Sequence, residues 1–443
     1  MKVYIESLGC FKNKADTEQL VNILAHYNID IVNNPIISNF IIINTCGFIK
    51  PAVEESIERI FEMAKYKERG IKLVAFGCMI ERYKEQIKKI IPELDFVTGI
   101  NSFEDLIAFL IDSSEKKFDD KPINKNNYIF TNLPYYSYVK IADGCNNRCS
   151  YCTIPLIKGN IKSTKIEDIK NSIKNLVERG VKEINIIAQD ITKYGIDIYG
   201  DYKLCSLLEN ILHINSEFHI RLLYLNPDGI NKNLIDLIKN SQKIIKYLDI
   251  PVQHASDNIL KRMNRKIDSY RLYKLFEEIR ERLPDLFIRT TIMVGFPGEN
   301  DDDFNKLLDF LNTFKPEWAG FFRYYPEEGT TSYKFKGRVN KKILAERLDT
   351  LERIQIENIN KKFKNYINRN IKVFIERPLI KNDYRDHYVK KEYTYMGRTL
   401  LQAPEIDGKC YIRVNNNIAI KEFGPYNCII DDFQYPNIFV TLC

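Results

Sequence analysis

Three cysteines stand close together in Gly144-Cys145-Asn146-Asn147-Arg148-Cys149-Ser150-Tyr151-Cys152, a C-x3-C-x2-C pattern. Thiolates are soft ligands, and three at this spacing can hold three irons of a four-iron cluster, leaving the fourth iron open to another molecule. Open coordination is what makes such a cluster reactive. Two plainer readings compete: a zinc site, or reduced cysteines with a structural role. Zinc sites commonly take four ligands, often from C-x2-C pairs, and no fourth candidate lies nearby in the sequence.

Another trio, the first in chain order, is spread along the N-terminal part of the chain. Cys10 follows the apolar run at Val3–Ser7, Cys46 follows Phe40–Asn44, and Cys78 follows Leu73–Phe76. One such cysteine is most simply a small buried hydrophobe. Three at equivalent strand ends are different, because parallel strands bring those ends to one edge and the thiols should converge there as a second cluster site. The remaining four of the ten cysteines, Cys205, Cys410, Cys428 and Cys443, fit no pattern and read as structural or incidental. Two further strand ends carry polar or small residues. Val294-Gly295-Phe296-Pro297-Gly298-Glu299 runs from a strand into a helix beginning near the Asp301-Asp302-Asp303 run, where small residues let backbone approach a ligand and acids suit the positive helix end. Gln189-Asp190 and Asp249–Ser256 sit in the same way after their strands, although His254 alone reads as a structural histidine.

The elements that must position these groups are legible as alternation. In residues 1–112 short apolar runs alternate with amphipathic stretches such as Pro51–Arg69, the pattern of a parallel sheet covered on both faces. The polar segment 113–130 reads as a linker. From 131 to 367 the alternation resumes, with strands at Ser137–Ala142, Glu183–Ala188, His219–Tyr224, Tyr247–Ile250, Ile288–Val294 and Gly320–Tyr324, then a charged connector helix at Asn340–Asn365. Six strand–helix units in succession predict a full or partial (β/α) barrel, whose active face is the carboxyl edge of its strands. Residues 368–443 turn β-rich, with Ile371–Ile375, Tyr393–Tyr395 and Tyr411–Val414 as strands of a small β-barrel. The fold class is therefore α/β with a small all-β domain at the end.

Composition narrows the function classes. Over 443 residues, 44% apolar and 28% charged, the chain is an ordinary globular one, and the net charge of +7 permits contact with RNA or a ribosome without requiring it. No apolar run approaches the roughly 18 residues of a spanning helix, and the N-terminus lacks the apolar core of a secretory signal. A cytoplasmic, non-membrane protein is expected, in which cysteines serve metal or redox chemistry rather than disulfides.

These motifs together resemble the radical S-adenosylmethionine (SAM) methylthiotransferases over nearly the whole chain. C-x3-C-x2-C marks the superfamily. Ser7-Leu8-Gly9-Cys10, Asn44-Thr45-Cys46-Gly47-Phe48-Ile49 and Gly77-Cys78 are similar to the family's N-terminal cluster motifs, and the last segment looks like its TRAM domain. Within the family the likeness is greater to the RimO type, which modifies a ribosomal protein, than to the MiaB type, which modifies an adenosine of tRNA. It rests on Phe11-Lys12-Asn13 after the first cysteine, on Gln253-His254-Ala255-Ser256, and on Gly397-Arg398 followed by Gln402-Ala403-Pro404-Glu405-Ile406-Asp407-Gly408. Residues 368–443 hold 11 Lys+Arg and 9 Asp+Glu, a balance more suited to a protein partner than to tracking RNA phosphates. The tRNA alternative rests on Tyr384, Tyr388, Lys390, Lys391 and Tyr393, which could form a basic, base-stacking face.

The resemblance implies two 4Fe-4S clusters, on Cys145, Cys149 and Cys152 and on Cys10, Cys46 and Cys78, with SAM bound at the first. It implies that Tyr151, Gln189, Gly295, Phe296, Pro297, Gly298 and Glu299 contribute to the SAM pocket. It implies hydrogen abstraction by a SAM-derived radical from the β-carbon of an aspartate in the small-subunit ribosomal protein of the decoding centre. The second cluster would then handle sulfur, and a second SAM would supply the methyl group. A reductant such as flavodoxin or ferredoxin and a sulfur donor are the implied partners. The sequence departs from the family at Lys158, Thr164 and Lys165, where Arg-Gly and Ser-Arg-Pro are common, and at Phe11 and Asn226. A lysine keeps a charge at 158 but offers no bidentate fork for a carboxylate.

Overall fold

The computed structural model describes residues 1–100, 102–113, 135–414, 420 and 423–443. The segment expected to be a linker, 113–130, lies outside these except for Ser113. Near the N-terminus five strands form one parallel sheet in the order Asp30–Ile31, Lys2–Ser7, Phe40–Thr45, Lys72–Gly77, Phe96–Val97. Every residue of Phe40–Thr45 is buried, as expected for a central strand covered on both faces. The short edge strand Asp30–Ile31 carries too few residues for its pattern to be read in the sequence.

Six later strands, Tyr136–Lys140, Glu183–Ile187, His219–Leu222, Ile244–Asp249, Phe287–Val294 and Trp318–Arg323, pair in chain order, all parallel, as an open sheet, while the short Ala142–Asp143 and Lys162–Ser163 pair separately. This is the partial barrel form of the expected architecture. Alternation along each strand divides the side chains between two faces. Val139, Ile186, Leu222, Leu248 and Ile288 pack among the helices. Tyr138, Ile187, Leu223, Tyr247 and Phe287 pack on the other side, against Phe11 and the C-terminal barrel. The strand expected at His219–Tyr224 stops at Leu222, and Tyr224 adopts a left-handed φ of 65°, which a strand cannot accommodate.

Asn370–Pro378, Tyr395–Thr399, Cys410–Arg413, Asn437–Leu442 and Tyr426–Gln434 close into a five-stranded barrel. The strand expected at Tyr393–Tyr395 begins only at Tyr395, because Tyr393 is drawn into a cluster with Tyr411 and Phe439. The two last strands went unread in the sequence. The barrel is fastened to the sheet by its own motif residues. The Arg398 guanidinium donates to Glu183 Oε2 at 2.8 Å and to Gln402 O at 2.8 Å, and Arg221 donates to Glu183 Oε1 at 2.8 Å. Asp407 accepts from Tyr247 and Arg289, and Glu405 accepts from Tyr136 at 3.0 Å and pairs with Lys14 of the first helix. The Gly397–Gly408 signature is thus a docking seam. Among the described residues no helix is long and apolar enough to cross a membrane.

Candidate active site

Each cysteine of the first trio occupies the turn between a parallel strand and the next helix. Cys10 is the N-cap of Phe11–His26, Cys46 follows Phe40–Thr45, and Cys78 opens Cys78–Ile90. Asn13, fully buried, holds the three turns together. Its amide donates to Leu8 O at 2.9 Å and Thr45 O at 3.1 Å, its own carbonyl accepts from Asn44 at 2.7 Å, and its Oδ1 lies 3.6 Å from Cys78 Sγ. Gly9 lies so close that a Cβ there would sit 2.8 Å from Cys46 Sγ, with φ at +83°. Cys46 and Cys78 are buried, and burial pushes their thiols up to about 11 and about 12. As free thiols they therefore stay protonated at neutral pH, and a metal that took them as thiolates would displace those protons.

The second trio lies in the loop after Tyr136–Lys140. Gly144, at φ +72°, is pressed against the carbonyl of Asn160, and Cys145 N–H donates to Gly159 O at 3.1 Å. Ser150 ties the loop to the neighbouring helix, its N–H donating to Met263 O at 3.0 Å and its hydroxyl to Arg262 O at 2.8 Å. Burial raises Cys145, and raises Cys152 to about 12.

The two trios face one another. Thr153 Oγ1 donates to Phe48 O at 2.9 Å, joining the cluster loop to the Cys46 turn. Cys78 packs with Ile157, just beyond the second trio. Lys158 is buried at this junction, 2.9 Å from Asp143 and 3.3 Å from Asp16 of the first helix. Burial alone would lift the Asp143 carboxyl, but Lys140 and Lys158 hold it well below the usual range. The lysine that departs from the family pattern thus spends its charge on the protein's own carboxylates. Arg82 of the N-terminal unit and Glu327, both buried, form a second tie at 2.9 Å, and Lys50 N–H donates to Glu327 at 2.7 Å. Among the described residues no three Cys, His, Asp or Glu side chains close round a single-ion position.

Of the residues expected in a SAM pocket, Tyr151 and Phe296 come together, ring centroids 6.4 Å apart in an edge-to-face contact. Gln189 donates to Asp143 at 2.8 Å and leaves its Oε1 buried without a partner. The loop Gly295–Glu299 lies at the same edge, with Pro297 O accepting from Arg262 at 2.8 Å. Glu299 points inward: its carboxylate accepts from Gly295 N–H at 2.7 Å and Phe296 N–H at 3.3 Å and pairs with Arg347. It shapes the loop and presents no free oxygen. His254 is wholly buried; Nδ1 accepts from Ser256 N–H at 3.0 Å and burial lowers its basicity to about 3, in keeping with a structural role.

Buried polar atoms without partners gather along this carboxyl edge: Asn147 Oδ1, Gln189 Oε1, Asn226 Oδ1, Asp249 Oδ1 and Arg265 Nε. Such atoms are costly unless a ligand satisfies them. Asn147, Arg265, Asp16 and Asp143 were not singled out from the sequence. Their residue types are common and only the fold brings them to the cysteines. In the sequence Lys12 is simply the middle of the Phe11-Lys12-Asn13 motif. In the structure it lies over the ring of Tyr224, Nζ 3.4 Å from the centroid.

Known proteins resemble the chain along its length. The Radical SAM superfamily matches residues 139–311 and the Uncharacterized protein family UPF0004 matches residues 2–99. The ribosomal protein uS12 methylthiotransferase RimO of Carboxydothermus hydrogenoformans is 41% identical, over 98% of this chain and 98% of that one. The protein of the same name from Clostridium novyi is 39% identical over 99% and 98%. Among solved structures, the radical SAM methyltransferase TsrM of Kitasatospora setae, with cobalamin and a [4Fe-4S] cluster, shares the fold at a TM-score of 0.54 and 12% identity, over 75% of this chain and 73% of that one.

Proposed function

The chain belongs to the RimO family of radical SAM methylthiotransferases, and from that membership we propose that it attaches a methylthio group to the β-carbon of an aspartate in ribosomal protein uS12. It is an enzyme that uses SAM and an iron–sulfur cluster. The finer reading assigns one 4Fe-4S cluster to Cys145, Cys149 and Cys152 and a second to Cys10, Cys46 and Cys78. The observation that carries it is the apposition of two all-cysteine trios across the Thr153–Phe48 bond. Soft thiolate ligands with no hard oxygen ligand in the set suit an iron–sulfur group.

When bound, the clusters and SAM supply the one-electron chemistry that activates an unactivated carbon–hydrogen bond and the sulfur that is inserted there. The protein's part is orientation and exclusion of water. Asn13 fixes the three N-terminal turns. Lys158, Asp16 and Asp143 lock the first helix to the cluster loop, so that the two trios keep a constant separation. Tyr151, Gln189 and the Gly295–Glu299 loop line the SAM pocket; the unpartnered oxygen of Gln189 supports this, and Glu299 serves by bracing the loop. Electrons come from a small redox protein such as flavodoxin or ferredoxin, sulfur from a separate donor, and the setting is the cytoplasm, where ribosomes are made.

The test is anaerobic turnover of the reconstituted enzyme with reductant, sulfide and SAM, offered uS12 and, separately, unmodified tRNA, followed by mass spectrometry. A methylthio gain on an aspartate of uS12 is expected; a gain on tRNA adenosine alone would overturn the reading. Cys149→Ala should end all SAM cleavage, whereas Cys46→Ala should stop sulfur insertion and leave some cleavage. Equal loss of both would remove the division of roles between the trios.

A further inference from the structure

Lys12 is the second residue of the helix Phe11–His26 and is 9% exposed. Among the described residues no carboxylate and no hydrogen-bond acceptor pairs with its ammonium; its contact is the Tyr224 ring, 3.4 Å below Nζ. Of the other cations near the cysteines, Arg265 gives one N–H to Pro251 O at 2.8 Å while its Nε has no partner, and three are ion-paired within the protein. Lys158 and Lys140 hold Asp16 and Asp143, and Arg289 holds Asp407. Asp249, which ends the strand Ile244–Asp249, accepts from Tyr224 N–H at 3.0 Å and faces Arg289 at 3.9 Å. A buried cation with only a ring face beneath it is incompletely compensated. The first turn of its helix holds no acidic residue, so the positive helix end adds to the same field. Tyr224 lies just beyond Leu222, the last residue of the strand His219–Leu222, so Lys12, two residues after Cys10, stands where the N-terminal turns meet the carboxyl edge of the central sheet. The spot is therefore electropositive, largely dry, and set between the two groups that must meet the substrate.

We propose that Lys12 is the carboxylate-recognising residue of this site, its ammonium holding the side-chain carboxylate of the substrate aspartate so that the β-carbon lies between the cysteine trios. The inference rests on the function proposed above. The β-carbon is bonded directly to the carboxylate carbon, so fixing the one fixes the other. Tyr224 supports the cation from below, and its own left-handed backbone turn, φ 65°, sets the ring in that position. A lysine suits the task because a compact charge accepts a carboxylate in several orientations, leaving the β-carbon free to be aligned by the rest of the site. Asparagine in place of the substrate aspartate would leave the cation unpaired and be rejected. SAM also carries a carboxylate, and the experiment separates the two sources.

The test uses full-length, anaerobically reconstituted enzyme as wild type, Lys12→Met and Lys12→Arg. Dissociation constants are measured for uS12, for SAM, and for uS12 whose modified aspartate, located by mass spectrometry, is changed to asparagine. Iron content and the cluster electron-paramagnetic-resonance signals are recorded in parallel. Lys12→Met should weaken uS12 binding by about 30-fold or more, the usual cost of stranding one member of a buried charge pair. It should leave SAM affinity and iron content unchanged and bind the asparagine form of uS12 as wild type does. Lys12→Arg should recover part of the loss. A fall in SAM affinity instead would give the cation to SAM, and a loss of iron would give it to a cluster; either overturns the proposal. Equal uS12 binding by wild type and Lys12→Met overturns it as well. Failure of the wild-type enzyme to modify uS12 at all would be a failure of the underlying function, and it is visible without any variant.

Discussion

Changing Glu183 to glutamine should loosen the C-terminal barrel from the central sheet, and it should do so with a specific pH signature. Glu183 is wholly buried between Arg221 and Arg398, each at 2.8 Å. Burial by itself would raise its carboxyl, but the two guanidinium groups more than offset that and hold it down to about 2 from an ordinary 4.5. A carboxyl displaced that far carries about 3 kcal/mol of stability in the folded state. Because the folded value is the lower one, that stability is complete above pH 4.5 and disappears as pH falls toward 2. Glutamine removes the charge and leaves two buried guanidinium groups facing each other, a cost of about 3–5 kcal/mol. The sole tryptophan is a natural reporter. Trp318 is 3% exposed at this seam, its indole donating to Leu401 O at 2.7 Å and its ring tilted against Phe363 and Phe433. Urea titrations followed by Trp318 emission at pH 7 and then stepwise from pH 5 to 2.5 should show a lower midpoint for Glu183→Gln at pH 7. The two proteins should converge as the wild-type carboxylate is neutralised. Coincident transitions at pH 7, or a gap as large at pH 2.5 as at pH 7, would refute the reasoning.

Two further outcomes follow from the N-terminal unit. Gly9→Ala drives a methyl group to within 2.8 Å of Cys46 Sγ at a backbone φ of +83°; the reconstituted protein should lose about half its iron, measured colorimetrically, with little change in far-ultraviolet circular dichroism. Glu327→Gln strands the buried Arg82 that ties the N-terminal unit to the sheet edge, at a cost of about 3–5 kcal/mol to that seam. Limited proteolysis should quicken there, and methylthiolation should fall further than SAM cleavage; parallel losses of both activities would count against a purely interfacial role.

Much of this protein is settled by local pattern. Continuous apolar runs such as Phe40-Ile41-Ile42-Ile43 suit only strands covered on both faces, and cysteines just beyond them must meet at one edge, since parallel strands all end on the same side. The C-x3-C-x2-C loop needs no tertiary information, because its three thiols are held within eight residues of chain. Short or late elements escaped such reading: Asp30–Ile31 has two residues, and Tyr426–Gln434 breaks its alternation at Asp431-Asp432, where the pairing register with Asn437–Leu442 shifts. What only the folded chain decided is which charges meet. Lys158 looked like a weakened carboxylate clamp and proves to bind Asp16, 142 positions away; Glu299, at the end of its loop, gives one oxygen to that loop and the other to Arg347. Arg398, Glu405 and Asp407 read as a family signature and prove to be the bolts of an interface. Charge pairing acts through space, and sequence distance carries no information about it. Lys12, one lysine among many in the sequence, differs from the rest only because folding buried it over Tyr224 and brought it no acid.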